Sequence, residues 1–332
     1  MTMILAGDVG GTKANLALFE QHGTGLRPLF HRRLGTRQYD GFEVLIEAFL
    51  QQAQEAGAIK DRASIDAAGF GVAGVVTGGK HYSENLPWML DVSAVSDRLK
   101  LRHIQLLNDL AATALSLEHL SVADCVVLNI GVPVKYGTRG VIAAGTGLGE
   151  ALLFWNGTRY QVAPAEGGQA DFAPRTEREI ALLSHLRRQL SHVSCEEIVS
   201  GRGFRRIHEF LDPAVLHESF EGSGVNAASD ITQRGLAGSC EVCAETVAFW
   251  VEILAGATGN FALQSMTLSG MFIAGGIAAK LLQRLQDISF FKSFCGAGKL
   301  AKVMEQVPIT VVVNEDAPML GAAHEALHQL QK

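Results

Sequence analysis

The sequence predicts an α/β protein made of two related halves, and three observations carry that prediction. The first is the opening stretch, where the apolar run Ile4–Ala6 meets Asp8, the pair Gly10-Gly11 and a second strand-like run from Asn15 to Phe19. Two apolar runs joined by Gly-Gly read as a tight β-hairpin, because glycine takes φ > 0 there without steric cost. The second is a copy of that layout at 141–155, Val-Ile-Ala-Ala-Gly-Thr-Gly-Leu-Gly-Glu-Ala-Leu-Leu-Phe-Trp, with Gly145-Thr146-Gly147 at the turn. The third is that strand-like runs alternate with amphipathic helical segments after each hairpin. Similarity recurring at half the chain length is a property of the fold rather than a local accident.

The turns also have chemistry. A Gly-Gly-Thr turn presents backbone N–H groups and a hydroxyl to one point with little side chain in the way, which is an anion nest suited to phosphate. Gly10, Gly11 and Thr12 form one such nest, and Gly145, Thr146 and Gly147 the other. Asp8, at the mouth of the first, is placed to hold Mg²⁺ directly or through water.

In chain order, Leu26–Arg33 reads as a third strand. Phe42–Ala58 reads as an amphipathic helix, with apolar residues at 42, 45, 46, 49 and 50. Ile65–Val72 is a buried strand. The polar loop from Val76 to Asp91 ends in Asn85-Leu-Pro-Trp88, where Asn85 is suited to ligand contact and Trp88 either joins it or anchors the loop. His103–Leu107 is a strand that Asn108-Asp109 terminates before a helix from Leu110 to Leu117. Asn and Asp are favoured helix caps, yet a strand end is also where open α/β sheets bind ligands. On the local pattern alone both readings stand.

The second half begins with a strand at 124–130, followed by the hairpin of 141–155. Glu166-Gly-Gly-Gln169 sets a carboxylate in a glycine-lined turn, either aimed at a polar ligand or simply at the surface. Thr176-Glu-Arg-Glu179 is a capping box opening a helix with Ile180, Leu183, Leu186 and Leu190 on its apolar face and a solvated face of Arg178, Arg187 and Arg188. In the stretch Ser194–Gly203, Glu196 is the candidate ligand and Glu197 its control. Residues 211–229 read as an exposed loop, 239–266 as a long helix, and 270–274 as a strand. Gly275-Gly276 then open a turn where backbone can approach a flat ligand. A last strand at 309–313 precedes the C-terminal helix.

Composition excludes several classes. A formal charge of −6 gives no footprint for nucleic acid or an anionic membrane. The apolar run near Val247–Ala255 is broken by Glu252, and no other stretch is long enough to span a bilayer. The chain begins almost at once with a strand, so no signal peptide is expected, and five cysteines read as reduced thiols of a cytoplasmic protein. Cys240-x-x-Cys243 lacks a second ligand pair in the sequence and reads as two thiols on one helical face.

Six motifs fall in one order: Asp8-Val-Gly-Gly-Thr12, Leu107-Asn-Asp109, Gly145-Thr-Gly-Leu-Gly149, Glu166-Gly-Gly-Gln-Ala-Asp-Phe-Ala-Pro174, Ser194-Cys-Glu-Glu-Ile-Val-Ser-Gly201 and Ala274-Gly-Gly-Ile277. In that order the chain resembles the ATP-dependent bacterial glucokinases over nearly its whole length. The resemblance implies the hexokinase/actin-like ATPase fold, two ribonuclease H-like α/β domains flanking a central cleft, here 1–112 with 314–332 and 113–313. It implies transfer of the γ-phosphate of ATP to the 6-hydroxyl of glucose, with Asp109 as general base and Mg²⁺ oriented by Asp8. ATP would meet Asp8, Gly10, Gly11, Thr12, Gly145, Thr146, Gly147, Gly275 and Gly276. Glucose would meet Asn85, Asn108, Asp109, Glu166, Gln169 and Glu196, and a homodimer is expected. Gln169 departs from the family, which more often has histidine there. The compact cysteine-rich zinc motif of the related repressor/kinase sugar kinases is missing from the sequence. A kinase for another hexose or amino sugar would carry the same phosphate machinery. A non-catalytic sugar sensor would need a DNA-binding segment ahead of the first strand, and an assembly ATPase gives no reason for Glu166 and Glu196.

Overall fold

The computed structural model describes residues 2–82, 86–220 and 227–331. The chain divides into two compact units, one comprising 1–124, 160–164 and 314–332, the other 125–159 and 165–313.

The first unit starts with the expected hairpin, β1 (Met3–Val9) and β2 (Lys13–His22), and continues through β3 (Gly25–Gly35), α1 (Phe42–Glu55) and β4 (Ala67–Val72). A small ribbon, β5 (Val75–Thr77) with β6 (Lys80–Tyr82), leads to α2 (Val92–Leu99), β7 (Ile104–Asn108) and α3 (Asp109–Ser116). The second unit carries β8 (Cys125–Asn129), β9 (Arg139–Ala144) and β10 (Leu148–Trp155), and β11 (Tyr160–Ala165) extends their sheet although its residues 160–164 group with the first unit. The second unit's helices are α4 (Glu177–Leu186), α5 (Gly201–Leu211), α6 (Ala227–Ala237) and α7 (Glu241–Ser265). β12 (Met271–Ala274) precedes the short helices α8 (Gly276–Lys280), α9 (Leu282–Leu285), α10 (Ile288–Cys295) and α11 (Ala301–Met304). β13 (Ile309–Val312) closes that unit, and α12 (Ala317–Leu330) belongs to the first.

The two sheets repeat one plan. The first runs β3-β2-β1-β4-β7, with β1–β2 and β2–β3 antiparallel and β1–β4 and β4–β7 parallel. The second runs β11-β10-β9-β12-β13-β8, again a hairpin (β9–β10) followed by two parallel neighbours (β12, β13), with β8 added antiparallel at the edge. The repeat visible in the two hairpins therefore extends to whole sheets.

Strand alternation distributes the first unit's core to both faces. Leu5, Val9, Leu16, Leu18, Ala68 and Phe70 join Phe42, Leu45, Ile46 and Phe49 of α1 in one layer. Ile4, Ala6, Ala17, Phe19 and Ala67 meet Met319, Ala323, Ala326 and Leu327 of α12 in the other. In the second unit α7 is buried around most of its circumference, with Phe249, Trp250, Ile253 and Leu254 inside, so its apolar length serves the core.

Several expectations need correction. The division falls after Asp124 rather than at 112, because α3 packs into the first unit: a Cβ at Gly321 of α12 would overlap the Ala112 carbonyl oxygen. Helix α4 ends at Leu186, so Leu190 lies beyond it, and Ile180 is 46% exposed while Leu182 is buried in its place. Arg178 stays partly exposed, pairing with Glu245 while its guanidinium lies over the Phe249 ring. Within 211–229, Phe220 is buried in a short 3₁₀ turn and α6 already begins at Ala227. Helix α5 is strongly amphipathic but low in apolar content, with Phe204, Ile207 and His208 buried, so the sequence signals it weakly.

The contact between α3 and α12 gives a direct test. Gly321→Ala should destabilise the protein by about 2–3 kcal/mol through overpacking, lowering the thermal midpoint by about 5–10 °C. Circular-dichroism melting would read this, and a midpoint unchanged within a degree would contradict the packing described.

Candidate active site

The first unit assembles its site at the carboxyl ends of parallel strands. Asp8 sits opposite Asn15 on β2 and Gly71 on β4, and Val72 of β4 pairs with Asn108 at the end of β7. A Cβ at Gly71 would be 3.6 Å from the Asp109 Cα, so the strand ends and the start of α3 are tightly apposed. Asn108 is the helix cap: its Oδ1 accepts from the Leu110 and Ala111 amides, and its Nδ2 donates to the Gly74 carbonyl. Asp109 follows as the first residue of α3, its Oδ1 accepting from the Leu110 amide at 2.8 Å. Of the two adjacent residues, Asn108 is thus the cap and Asp109 the first residue of the helix.

Charge accumulates here. Burial, then the neighbouring carboxylates of Asp109 and Asp316, push the Asp8 carboxyl up to about 7, with Arg33 opposing. Asp316, at the start of α12, accepts from Asn15 Nδ2 at 2.6 Å, while Asn15 Oδ1 meets the His31 ring. Asn15 and Asp316 carry no motif in the sequence, and only the β1–β2 register and the return of α12 bring them to Asp8.

The turn after β1 closes with Gly10 N–H donating to the Lys13 carbonyl at 2.9 Å. The expected positive φ is not found at Gly10 or Gly11. In the Gly145–Gly147 turn the lack of a side chain matters only at Gly147. Gly145 has nothing within 4 Å of a would-be Cβ, whereas at Gly147 a Cβ would stand 2.5 Å from Glu196 Oε2. Thr12 and Thr146 are both exposed.

In the second unit the backbone ties three candidate segments together. Glu196 N–H donates to the Gly168 carbonyl and Cys195 N–H to Ala170, so the segment bearing Glu196 runs beside the Glu166–Gln169 turn. Glu196 Oε2 accepts from the Leu148 amide at 3.0 Å, next to the Gly145–Gly147 turn, and Gly201 N–H donates to the Gly145 carbonyl. Arg202 holds Glu196 Oε1 at 2.7 Å, so each oxygen of this carboxylate has one partner and keeps further lone pairs. Glu197, the control, is instead paired with Arg206. Glu166 and Gln169 are exposed at either end of their 3₁₀ turn. Gly275, at φ +93°, abuts the Ala144 carbonyl, where a Cβ would come within 2.7 Å, and Gly276 faces open space. The Gly275-Gly276 turn therefore lies against the strand end that leads into Gly145.

Two residues of this half were not legible in advance. Arg202 looks like an ordinary helical arginine. Glu150 follows the glycine turn on β10, where burial pushes its carboxyl up to about 7, and it lies under Gly167, whose Cβ it would exclude. Burial, then the neighbouring Glu150 carboxylate, also push the Cys195 thiol up to about 12. Trp88 proves to be an anchor, donating to the Tyr39 carbonyl at 3.0 Å and packing on Phe42. Asn85 lies outside the described residues.

The Glucokinase family profile matches residues 5–329. A glucokinase of Nostoc punctiforme is 32% identical over 97% of this chain and 98% of its own length. One of Yersinia enterocolitica is 30% identical over 96% and 94%. Among solved structures, a glucokinase from an Antarctic psychrotroph superposes with a TM-score of 0.84 at 26% identity, covering 99% of both chains. A repressor/kinase-type glucokinase from Streptomyces griseus, solved with glucose and AMPPNP, shares the fold at a TM-score of 0.64 and 21% identity over 98% of this chain and 99% of its own. With the profile spanning almost every residue and the expected actin-like α/β plan in both sheets, the chain belongs to the glucokinase family.

Proposed function

We propose that the protein transfers the γ-phosphoryl group of ATP to the 6-hydroxyl of glucose, giving glucose 6-phosphate and ADP. The observation that carries this reading is the pairing of Asp109 with Asp8 at the strand ends of the first unit, in a chain of this family. Phosphoryl transfer asks a protein mainly for positioning and charge neutralisation. The Gly10 and Gly145 amides close their own turns onto the Lys13 and Gly147 carbonyls, so Gly11, Thr12, Thr146 and Gly147 supply the donors for phosphate oxygens, and Gly275-Gly276 supply a flat approach for the adenosine. Asp109, oriented by the Leu110 amide, takes the proton of the attacking hydroxyl. The new bond joins that oxygen to the γ-phosphorus, the bond from the γ-phosphorus to the bridging oxygen breaks, and ADP leaves with the electron pair.

Glu166, Gln169 and Glu196, with Asn85 and Asn108, supply hydrogen bonds to the sugar. A site that bonds each hydroxyl rejects an epimer because it leaves a buried polar group unpaired. Gln169 donates and accepts without carrying charge, so it serves a ring hydroxyl in place of histidine. Crowded carboxylates around Asp8 are hard oxygen donors with excess negative charge, and this donor set fits Mg²⁺. Asp8 would hold the ion, directly or through water, and the ion would neutralise phosphate charge. A cytoplasmic homodimer accompanies this reading.

Replacing Asp109 by Asn keeps the shape and removes the base. Its kcat should fall by about 10²–10⁴-fold, with glucose affinity by calorimetry changed only a few-fold. Near-normal turnover of coupled ADP release would contradict the assignment.

The Asp8 carboxyl gives a second test. Its pKa is raised in the native state, so the native protein binds more protons than the unfolded chain between about pH 4 and 7, and stability falls as pH rises through that range. Asp8→Asn should therefore raise the Mg²⁺-free melting temperature at pH 8 and lose that advantage at pH 4, while turnover drops at both. A variant equally destabilised at the two pH values would contradict the charge crowding.

A further inference from the structure

A cluster outside the site just described has the composition and spacing of a metal centre. Helix α5 ends near His208, the following segment carries His217, Cys240 caps α7, and Cys243 lies in its first turn. The four side chains place one ligand atom each within 4.8 Å of all the others. His217 Nε2 is 3.2 Å from Cys243 Sγ and 3.7 Å from Cys240 Sγ. Bonds of about 2.3 Å to sulfur and about 2.0 Å to nitrogen at tetrahedral angles put neighbouring ligand atoms roughly 3.3–3.8 Å apart. The two His217–sulfur separations lie close to that range, and every other pair of ligand atoms lies within 4.8 Å.

His208 adds an independent observation. It is fully buried, and neither ring nitrogen has a hydrogen-bond partner. Native interiors rarely leave such a group unsatisfied, because its desolvation is uncompensated. Its ring packs edge-on to Phe220 and against His217, an arrangement that directs a nitrogen into the cluster without offering it a donor or acceptor. The Cys243 amide donates to Cys240 Sγ at 3.4 Å, which fixes that sulfur at the start of α7.

We infer that His208, His217, Cys240 and Cys243 form a structural zinc site that clips the end of α5 and the segment after it to the start of α7. Two imidazoles and two thiols match the soft-to-borderline donor set and tetrahedral geometry of Zn²⁺. On binding, the two thiols release their protons to solvent and the two imidazoles bind neutral, so the Zn²⁺ charge is balanced by two thiolates within a buried site. Four protein ligands leave no open position, which assigns the ion to holding structure rather than to chemistry. The Cys-x-x-Cys pair was uninformative in the sequence because its histidine partners lie in a stretch that shows no motif.

Cobalt titration of the untagged full chain, stripped with chelator under reducing conditions, tests the inference. One Co²⁺ per chain should bind with the intense visible bands of a tetrahedral site and a thiolate charge-transfer band. Zn²⁺ should displace it stoichiometrically and raise the melting temperature of the stripped protein. Cys240→Ser should halve the charge-transfer intensity, and His208→Gln should weaken Zn²⁺ binding at least tenfold. Binding of less than a tenth of an equivalent, or the weak spectrum of an octahedral ion without thiolate absorption, would overturn it. Should either variant fail to fold, the wild-type cobalt spectrum and stoichiometry still decide the ligand set.

Discussion

The register of three parallel strands is the constraint on which the rest depends. β1, β4 and β7 end together, so Asp8, Gly71 and the Asn108-Asp109 pair share one edge of the first sheet. A slip of one residue in any strand would turn its side chains to the opposite face, removing Asp8 from Asp109. That register is fixed by burial on both faces, with α1 covering one and α12 the other. Close helix approach is possible because Gly69 and Gly321 carry no side chain, each facing a backbone carbonyl that a Cβ would overlap. The site is therefore a consequence of core packing rather than an addition to it.

The second unit applies the same plan to another purpose. Its hairpin-plus-parallel-strand sheet places Gly145–Gly147 and Gly275-Gly276 on neighbouring strand ends. Here the loops that follow are tied by backbone hydrogen bonds, with Glu196 linked to Gly168 and to Leu148. Glycine at 147, 167 and 168 makes room for the carboxylates of Glu196 and Glu150 and for the Leu148 carbonyl. Charge in this unit is matched locally by Arg202 and Arg206, whereas the first unit leaves carboxylates beside one another. The first unit accepts an electrostatic penalty at Asp8, a common cost of functional sites.

Much of this was legible in the sequence because it depends on local pattern. The two glycine hairpins, the 3.6-residue spacing of α1 and the uniformly small apolar β4 fix their own elements. Gly-rich turns announced Gly10–Thr12, Gly145–Gly147 and Gly275-Gly276 as places where backbone is exposed. Local pattern did not reveal partners distant in the chain. Asn15 meets Asp316 across 301 positions, and Glu150 matters only because the Gly167 turn folds over it. Nor could it separate Asn108 from Asp109, since both residues suit a cap, and the hydrogen bonds alone show Asn108 in that role. Cys240 and Cys243 lacked meaning until α5 brought His208 beside them.

The most direct test of the central claim is formation of phosphorylated sugar by the wild-type protein with Mg-ATP, measured against glucose, mannose, fructose, galactose and N-acetylglucosamine. The account predicts rapid, saturable formation of glucose 6-phosphate with ADP released in equal amount, and far lower kcat/KM for the other sugars. Preferred turnover of another sugar, or glucose binding without any phosphoryl transfer, would contradict it.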